Sequence, residues 1–277
     1  MPAADFRIRG FAKAFMRAVG CSRVVDHVLL LDPRGGKHLV ALDAATVKVP
    51  GLGTFDAAKL KAHVGRRLEI ADRAFLVLTP SGLDLREMME RGPQTFAPKD
   101  LGALLYLADI LPGSGVVEAG SGSGAVTVVL ARAVGSAGRV ISYDLRAESL
   151  RIARVNVAAA GLQARVEFRE GDVRQGIPDR EVDAVVLDIP DPWAAVPAAW
   201  EALRPCGHLA TFSPNMEQVK ETVAAIRARP FVEVRTIEIL EREMEVRDVG
   251  VRPSFAALGH TGYLTFARKV LGFFGIS

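Results

Sequence analysis

The sequence predicts an α/β protein whose larger part is a mostly parallel sheet covered by helices, preceded by a small β domain. Three observations carry that prediction. From Lys99 onward, short apolar runs alternate with stretches of helical periodicity, the rhythm of a parallel sheet with crossover helices. A glycine-rich turn follows the first buried run directly. Over the first 80 or so residues, by contrast, short apolar runs are separated by Gly/Pro turns.

Taken in order, Phe6 to Val19 is amphipathic and punctuated by Arg7, Arg9, Lys13 and Arg17, unlike a signal peptide. Val24 to Leu31 and His38 to Leu42 read as strands flanking the turn Asp32-Pro33-Arg34-Gly35-Gly36-Lys37, and Arg73 to Leu78 as another. Lys99 to Leu111 has helical spacing and stops at Pro112-Gly113. Gly115 to Glu118 is a buried strand, and Ala125 to Val134 the helix after the glycine turn. Arg139 to Tyr143 is the next strand, and Ala147 to Ala160 the next helix, ended by Gly161. Val166 to Arg169, Ala184 to Leu187 and His208 to Phe212 continue the strands, and Met216 to Ala228 is a helix. Phe231 to Leu240 and Tyr263 to Arg268 read as a closing pair of longer strands. The expected domains are 1–80, a connecting segment 81–98, and a main domain 99–277.

Composition narrows the class. Apolar residues make up 49% of the chain, enough for a full core, and no apolar run reaches the roughly 18 residues of a membrane helix. A cytoplasmic protein with no membrane partner is expected. The two cysteines, Cys21 and Cys206, make no metal site by themselves and read as buried or unpaired thiols, with an intersubunit disulfide as the alternative. No metal is expected. The net charge of +3, carried mainly by arginine, permits an RNA partner without demanding one. Low Asn and Gln usage with abundant arginine points toward a thermophile.

The chemistry should lie at the carboxyl ends of the strands, where parallel sheets bind ligands. Glu118-Ala119-Gly120-Ser121-Gly122-Ser123-Gly124 stands there, its glycines allowing a sharp turn and close approach of backbone to ligand. The same spacing also satisfies a dinucleotide fingerprint. Three acids favour S-adenosylmethionine instead. Glu118 can take the ammonium of a methionine moiety, where a pyrophosphate would be repelled. Asp144 can accept both ribose hydroxyls, a feature shared with NAD enzymes, and Asp172 the adenine amino group; Leu145 and Val173 beside them complete the expected cofactor wall. The segment Leu187-Asp188-Ile189-Pro190-Asp191-Pro192-Trp193 follows a further strand. Its prolines stiffen the backbone, and Trp193 offers a flat apolar face.

At this point the chain resembles the tRNA (adenine-N1)-methyltransferases that modify adenine 58 in the T-loop. The resemblance spans nearly the whole chain. It is carried by Arg91-Gly92-Pro93-Gln94 with Pro98-Lys99-Asp100, by Glu118 to Gly124, by Leu187 to Trp193, and by Pro214-Asn215 with Gln218. Arg252-Pro253 and Gly259-His260-Thr261-Gly262-Tyr263-Leu264 complete it.

The resemblance implies a Rossmann-like class I methyltransferase domain with a mostly parallel seven-stranded sheet, behind the small β domain. It further implies a homotetramer that holds tRNA across subunits and converts S-adenosylmethionine to S-adenosylhomocysteine. Asp188 is then the catalytic carboxylate, also beside the cofactor, and Gln94 a cofactor contact from the preceding loop. Phe96, Pro190, Trp193, Arg252, His260 and Thr261 are the expected substrate contacts. Arg34, Lys37, Arg66 and Arg67 are candidate phosphate contacts. Family members often carry an aromatic residue where this chain has Ala97, which leaves Phe96 to stack or leaves the site more open. An open site would admit adenine 57 as well as adenine 58. The alternatives are a class I methyltransferase acting on a non-RNA substrate, a non-catalytic tRNA-binding subunit, and an NAD-dependent oxidoreductase. Gly120, Gly122, Gly124 and Asp188 argue against a non-catalytic subunit. Glu118 argues against NAD.

Overall fold

The computed structural model describes residues 27–70, 72–89, 96–255 and 259–272. Contacts divide the chain into two units, Met1–Pro80 and Ser81–Ser277. In the first, β1 (His27–Leu31), β2 (Lys37–Ala41), β5 (Arg67–Ile70) and β6 (Arg73–Leu78) form an antiparallel sheet in the order β2-β1-β6-β5. A hairpin of β3 (Thr46–Val49) and β4 (Gly53–Asp56) leads into the short helix α1 (Ala57–Ala62), capped by the Asp56 carboxylate. Val28, Leu30, Leu60, Phe75 and Val77 fill its core. The hairpin, α1 and β5 go beyond the three strands expected from the sequence.

The second unit begins with α2 (Gly82–Glu87) and α3 (Pro98–Leu107). Its sheet runs in the order β12-β15-β11-β10-β7-β8-β9. The strands are β7 (Gly115–Ala119), β8 (Arg139–Asp144), β9 (Val166–Glu170), β10 (Val182–Leu187), β11 (Leu203–Ser213), β12 (Phe231–Ile237) and β15 (Tyr263–Lys269). β9, β8, β7, β10 and β11 are mutually parallel, and β15 runs antiparallel between β11 and β12. This is the seven-stranded, mostly parallel sheet expected.

Alternation along the strands assigns the helices to faces. Val117, Ile141, Val185, Leu187 and Leu209 join one core with α6 (Pro192–Ala202) and α7 (Met216–Arg227). The intervening positions turn the other way, toward α4 (Ala125–Val134) and α5 (Ala147–Ala159), as the contact of Glu118 with Thr127 shows. α4 is buried around most of its circumference, so each Val or Leu on it contributes about 1.5–3 kcal/mol of burial.

Three departures from the sequence reading have physical causes. Residues 192–202 form α6, a helix whose pattern Pro192 and Pro197 interrupt in the sequence; Pro192 sits at the first helical position, where its missing N–H is no loss. β11 starts at Leu203, and its pairing with β10 jumps from Leu203 to His208 around Cys206, which has φ 64°. Cys206 is exposed and free, an unpaired thiol as expected, and Cys21 lies outside the described residues. Finally, β12 ends at Ile237, and residues 238–262 contain a hairpin of β13 (Met244–Arg247) and β14 (Gly250–Pro253) where a turn was expected.

Candidate active site

β7 sits at the point where the strand order reverses, with β8 on one side and β10 on the other. Glu118, its penultimate residue, is fully buried. Its Oε2 accepts hydrogen bonds from Thr127 Oγ1 at 2.6 Å and Ser142 Oγ at 2.5 Å, while Oε1 has no partner among the described residues. Because Ser142 donates to Glu118, Ser121 must donate to Ser142 across their 2.6 Å contact. The acid thereby supports the glycine turn from below. Burial raises its pKa to about 8, against the lowering effect of those two hydroxyls. Ser142 and Thr127 were not legible as site residues, since single hydroxyls in apolar runs carry no pattern.

The turn itself is held at both ends. Gly120 N and Ser121 N both donate to the Tyr143 carbonyl, and Asn156 Nδ2 donates to the Ser123 carbonyl at 2.8 Å. Gly120, at φ 94°, lies so close to the end of β10 that a Cβ there would stand 2.0 Å from the Asp188 carbonyl oxygen. Gly122, at φ 52°, has nothing among the described residues within 4 Å of its would-be Cβ.

Two adjoining clefts open above the strand ends, of about 630 and 390 Å³. The larger is bounded by Asp144, Leu145, Asp172 and Val173, the smaller by Ser121, Gly122, Ser123, Phe212, Pro214 and Gln218. Gly120, Asp144, Asp188 and Pro190 border both. Asp144 accepts from Gly122 N at 3.1 Å and from Arg146 N at 2.9 Å. Asp172 is held by Arg174, which lowers its pKa. Asp188 stands where the clefts meet. Among the described residues its carboxylate has no hydrogen-bond partner, and burial alone raises its pKa to about 7. A carboxylate left unpaired beside open space is poised for a ligand.

The remaining expected residues are more dispersed. Gln94 lies outside the described residues. Phe96 is buried with its ring 4.4 Å from that of Phe212, so it backs the cleft wall and Phe212 presents the aromatic surface. That corrects the expectation that Phe96 stacks on substrate. Gly262 belongs to the same packing, because a Cβ there would fall 2.3 Å from the Phe212 ring. Trp193 is partly buried in the first turn of α6.

Thr261 does not border either cleft: its hydroxyl donates to Asp100 Oδ2 at 2.8 Å and receives Lys99 Nζ at 2.6 Å. Lys99 and Asp100 are themselves paired and almost wholly buried. The Pro98-Lys99-Asp100 and Gly259 to Leu264 blocks, remote in sequence, are thus one structural joint. His260 bridges Glu238 Oε1 at 2.6 Å and the Pro214 carbonyl at 3.1 Å. Two acceptors favour the doubly protonated ring, and its pKa is raised, chiefly by Glu238. Through Pro214 it steadies the rim of the smaller cleft. Arg252 lies on the β13–β14 hairpin, paired with Glu245 at 2.8 Å and over the Phe255 ring.

A seven-stranded sheet with one antiparallel strand, a glycine turn at the switch point and acids at successive strand ends defines a class I S-adenosylmethionine-dependent methyltransferase. Solved structures agree with that class. An S-adenosylmethionine-dependent O-methyltransferase from Thermotoga maritima is 33% identical, with TM-score 0.76 over 90% of this chain and 95% of that one. The tRNA (m1A58) methyltransferase of Aquifex aeolicus, at 23% identity and TM-score 0.69 over 89% of this chain and 97% of that one, shares the fold. Residues 88–254 match the family model described as the tRNA methyltransferase complex GCD14 subunit, and the chain belongs to that family. The tRNA (adenine(57)-N(1)/adenine(58)-N(1))-methyltransferase of Methanocaldococcus jannaschii is 37% identical over 272 residues, covering 87% of this chain and 94% of that protein. A tRNA (adenine(58)-N(1))-methyltransferase of Thermus thermophilus is 40% identical over 252 residues, covering 87% of this chain and 96% of that protein.

Proposed function

We propose that this enzyme transfers the methyl group of S-adenosylmethionine to N1 of adenine 58 in the tRNA T-loop, and to adenine 57 as well. The observation that carries the reading is Asp188, a carboxylate without a partner among the described residues, at the junction of two clefts, one walled by Asp144 and Asp172 and one lined by the glycine turn and Phe212. The names of the relatives from M. jannaschii and T. thermophilus support the substrate, and the former supports the second adenine.

The residues present fit the cofactor. Glu118 keeps a buried oxygen without a partner among the described residues, the acceptor a cationic amino group needs, although it lies beneath the turn and borders neither cleft. Asp144, with a lone pair left on Oδ2, is placed for ribose hydroxyls, and Asp172 with Val173 for adenine. Gly122 leaves room for close backbone approach. When bound, the cofactor supplies a methyl group made electrophilic by its sulfonium.

Adenine N1 already carries a lone pair, so the protein needs no strong base. Asp188 accepts a hydrogen bond from the N6 amino group, orienting the base and stabilising positive charge as it develops on the ring. Phe212 and Pro190 border the space where that base would lie. The target is tucked into RNA tertiary structure and must be flipped out to reach the cleft. Methyl transfer from labelled S-adenosylmethionine to an unmodified tRNA transcript, with nucleosides identified by mass spectrometry, tests this directly. N1-methyladenosine at positions 57 and 58 is expected; cofactor binding with an unmethylated transcript would sink the substrate.

We also propose that the active particle is a cytoplasmic homotetramer. Val249 is 94% exposed and Phe255 83%, with Val246 and Val251 exposed beside them. So many apolar side chains on one hairpin call for cover by another copy. Val249→Asp is expected to reduce the mass measured by light scattering below that of four chains. An unchanged mass would remove the hairpin from the interface. Among the described residues no helix is long and apolar enough to cross a membrane.

A further inference from the structure

Arg174 stands on a single 3-10 turn directly after β9, outside every residue set the sequence marked. Its Nε and Nη2 reach the two carboxylate oxygens of Asp172 at 2.7 Å each, and its Nη1 reaches Asp191 Oδ2, also at 2.7 Å. One planar cation therefore joins the loop after β9 to the loop after β10. Both loops border the larger cleft.

Asp191 shows what this arrangement displaces. It occupies the N-cap position of α6, where an aspartate normally accepts from the backbone N–H groups of the first turn. Its side chain makes no such bond; the carboxylate is turned to Arg174 instead. The next constraint upstream is short and stiff, since only Ile189 and Pro190 separate Asp191 from Asp188. Fixing Asp191 therefore fixes the segment that carries the unpaired carboxylate. The three side chains keep 35%, 17% and 30% of their surface, dry enough for a directional fork yet open to competition from salt.

We propose that Arg174 is a positioning residue for methyl transfer. It ties the catalytic segment Asp188 to Asp191 to the adenine-side loop, so that filling the cofactor cleft sets Asp188 in place. The proposal rests on the cofactor site described above. Lysine cannot replace the guanidinium, because a point charge cannot hold both oxygens of Asp172 and one of Asp191 in a plane.

The test uses the full-length protein with Trp200→Phe, which leaves Trp193, two residues beyond Asp191, as the remaining one of two tryptophans. In this background Arg174→Met and Asp191→Asn are compared singly and together. Three quantities are read: acrylamide quenching of Trp193 without ligand, S-adenosylhomocysteine affinity by calorimetry, and kcat for tRNA methylation. Each single change is expected to raise quenching and lower kcat by about tenfold or more, with a smaller loss of affinity. The double variant should be no worse than the poorer single, and Arg174→Lys should behave like Arg174→Met. Unchanged quenching, or losses that multiply in the double variant, would overturn the tie. If the parent protein binds no S-adenosylhomocysteine, the cofactor reading fails instead, and the quenching comparison alone decides for or against Arg174.

Discussion

Asp188→Asn is expected to lower kcat for tRNA methylation by about 10²–10⁴-fold while leaving S-adenosylhomocysteine affinity within a few-fold of the parent. Asparagine keeps the size and one acceptor oxygen. It loses the negative charge that opposes the positive charge developing on the adenine ring, so the deficit should fall on kcat rather than on cofactor binding. Single-turnover methylation alongside calorimetry separates the two. Parallel losses in both would instead make Asp188 a structural part of the cofactor cleft.

The same carboxylate predicts a pH profile. Its pKa of about 7 in the free enzyme means that kcat/KM should rise with pH through about 7 and then level off. That inflection should vanish in Asp188→Asn. Stability runs the other way. A carboxyl group whose folded pKa is raised stabilises the fold fully below its unfolded value and loses that contribution as pH rises through its folded value. Asp188 at about 7 and Glu118 at about 8 both act in this sense, so the ligand-free protein should melt at progressively lower temperature from about pH 5 to pH 9. Asp188→Asn, relieved of one charge, should be more stable than the parent at pH 8 by about 1 kcal/mol, since water at the cleft rim relieves part of the burial. An inactive variant that melts higher than the parent is the signature of a residue kept for chemistry.

Legibility in the sequence followed the strength of local patterning. The strands of the main sheet were readable because β7, β8 and β10 are buried apolar runs ended by glycine, acid or turn residues. The strand-end acids Asp144, Asp172 and Asp188 were readable for the same reason, their position being fixed by the strands before them. Helix α6 was not, because Pro192 and Pro197 signal broken chain unless one knows that Pro192 opens the helix. The β13–β14 hairpin was hidden for a different reason: its valines face outward, so they have no core within the chain to reveal their period. Side-chain roles were the least legible. Phe96 and Phe212 stand far apart in sequence, and only the packing shows which of them faces the cleft. Thr261 reads as a loop hydroxyl until Lys99 and Asp100 are seen to enclose it.

Gly120→Ala is expected to do more damage than any other single-methyl addition in the glycine turn. At φ 94° an L-residue is strained, and the added Cβ would stand 2.0 Å from the Asp188 carbonyl oxygen and 2.9 Å from its carbon. Backbone atoms cannot swing aside as a long side chain can. Relief requires separating the ends of β7 and β10, which lengthens the 2.8 Å hydrogen bond from Asp188 N to the Ala119 carbonyl. A loss of about 2–4 kcal/mol in stability follows, together with S-adenosylhomocysteine affinity lower by more than about tenfold. Gly122→Ala is the informative contrast. Its Cβ would meet nothing within 4 Å, and φ 52° costs only about 1–2 kcal/mol for an L-residue. The fold should therefore survive, and any large loss of affinity must come from the methyl group occupying space the cofactor needs. Denaturant titration and calorimetry on the two variants distinguish a glycine required by strand packing from one required by the ligand. Affinity at the parent level in Gly122→Ala would show that the cofactor does not approach the turn there.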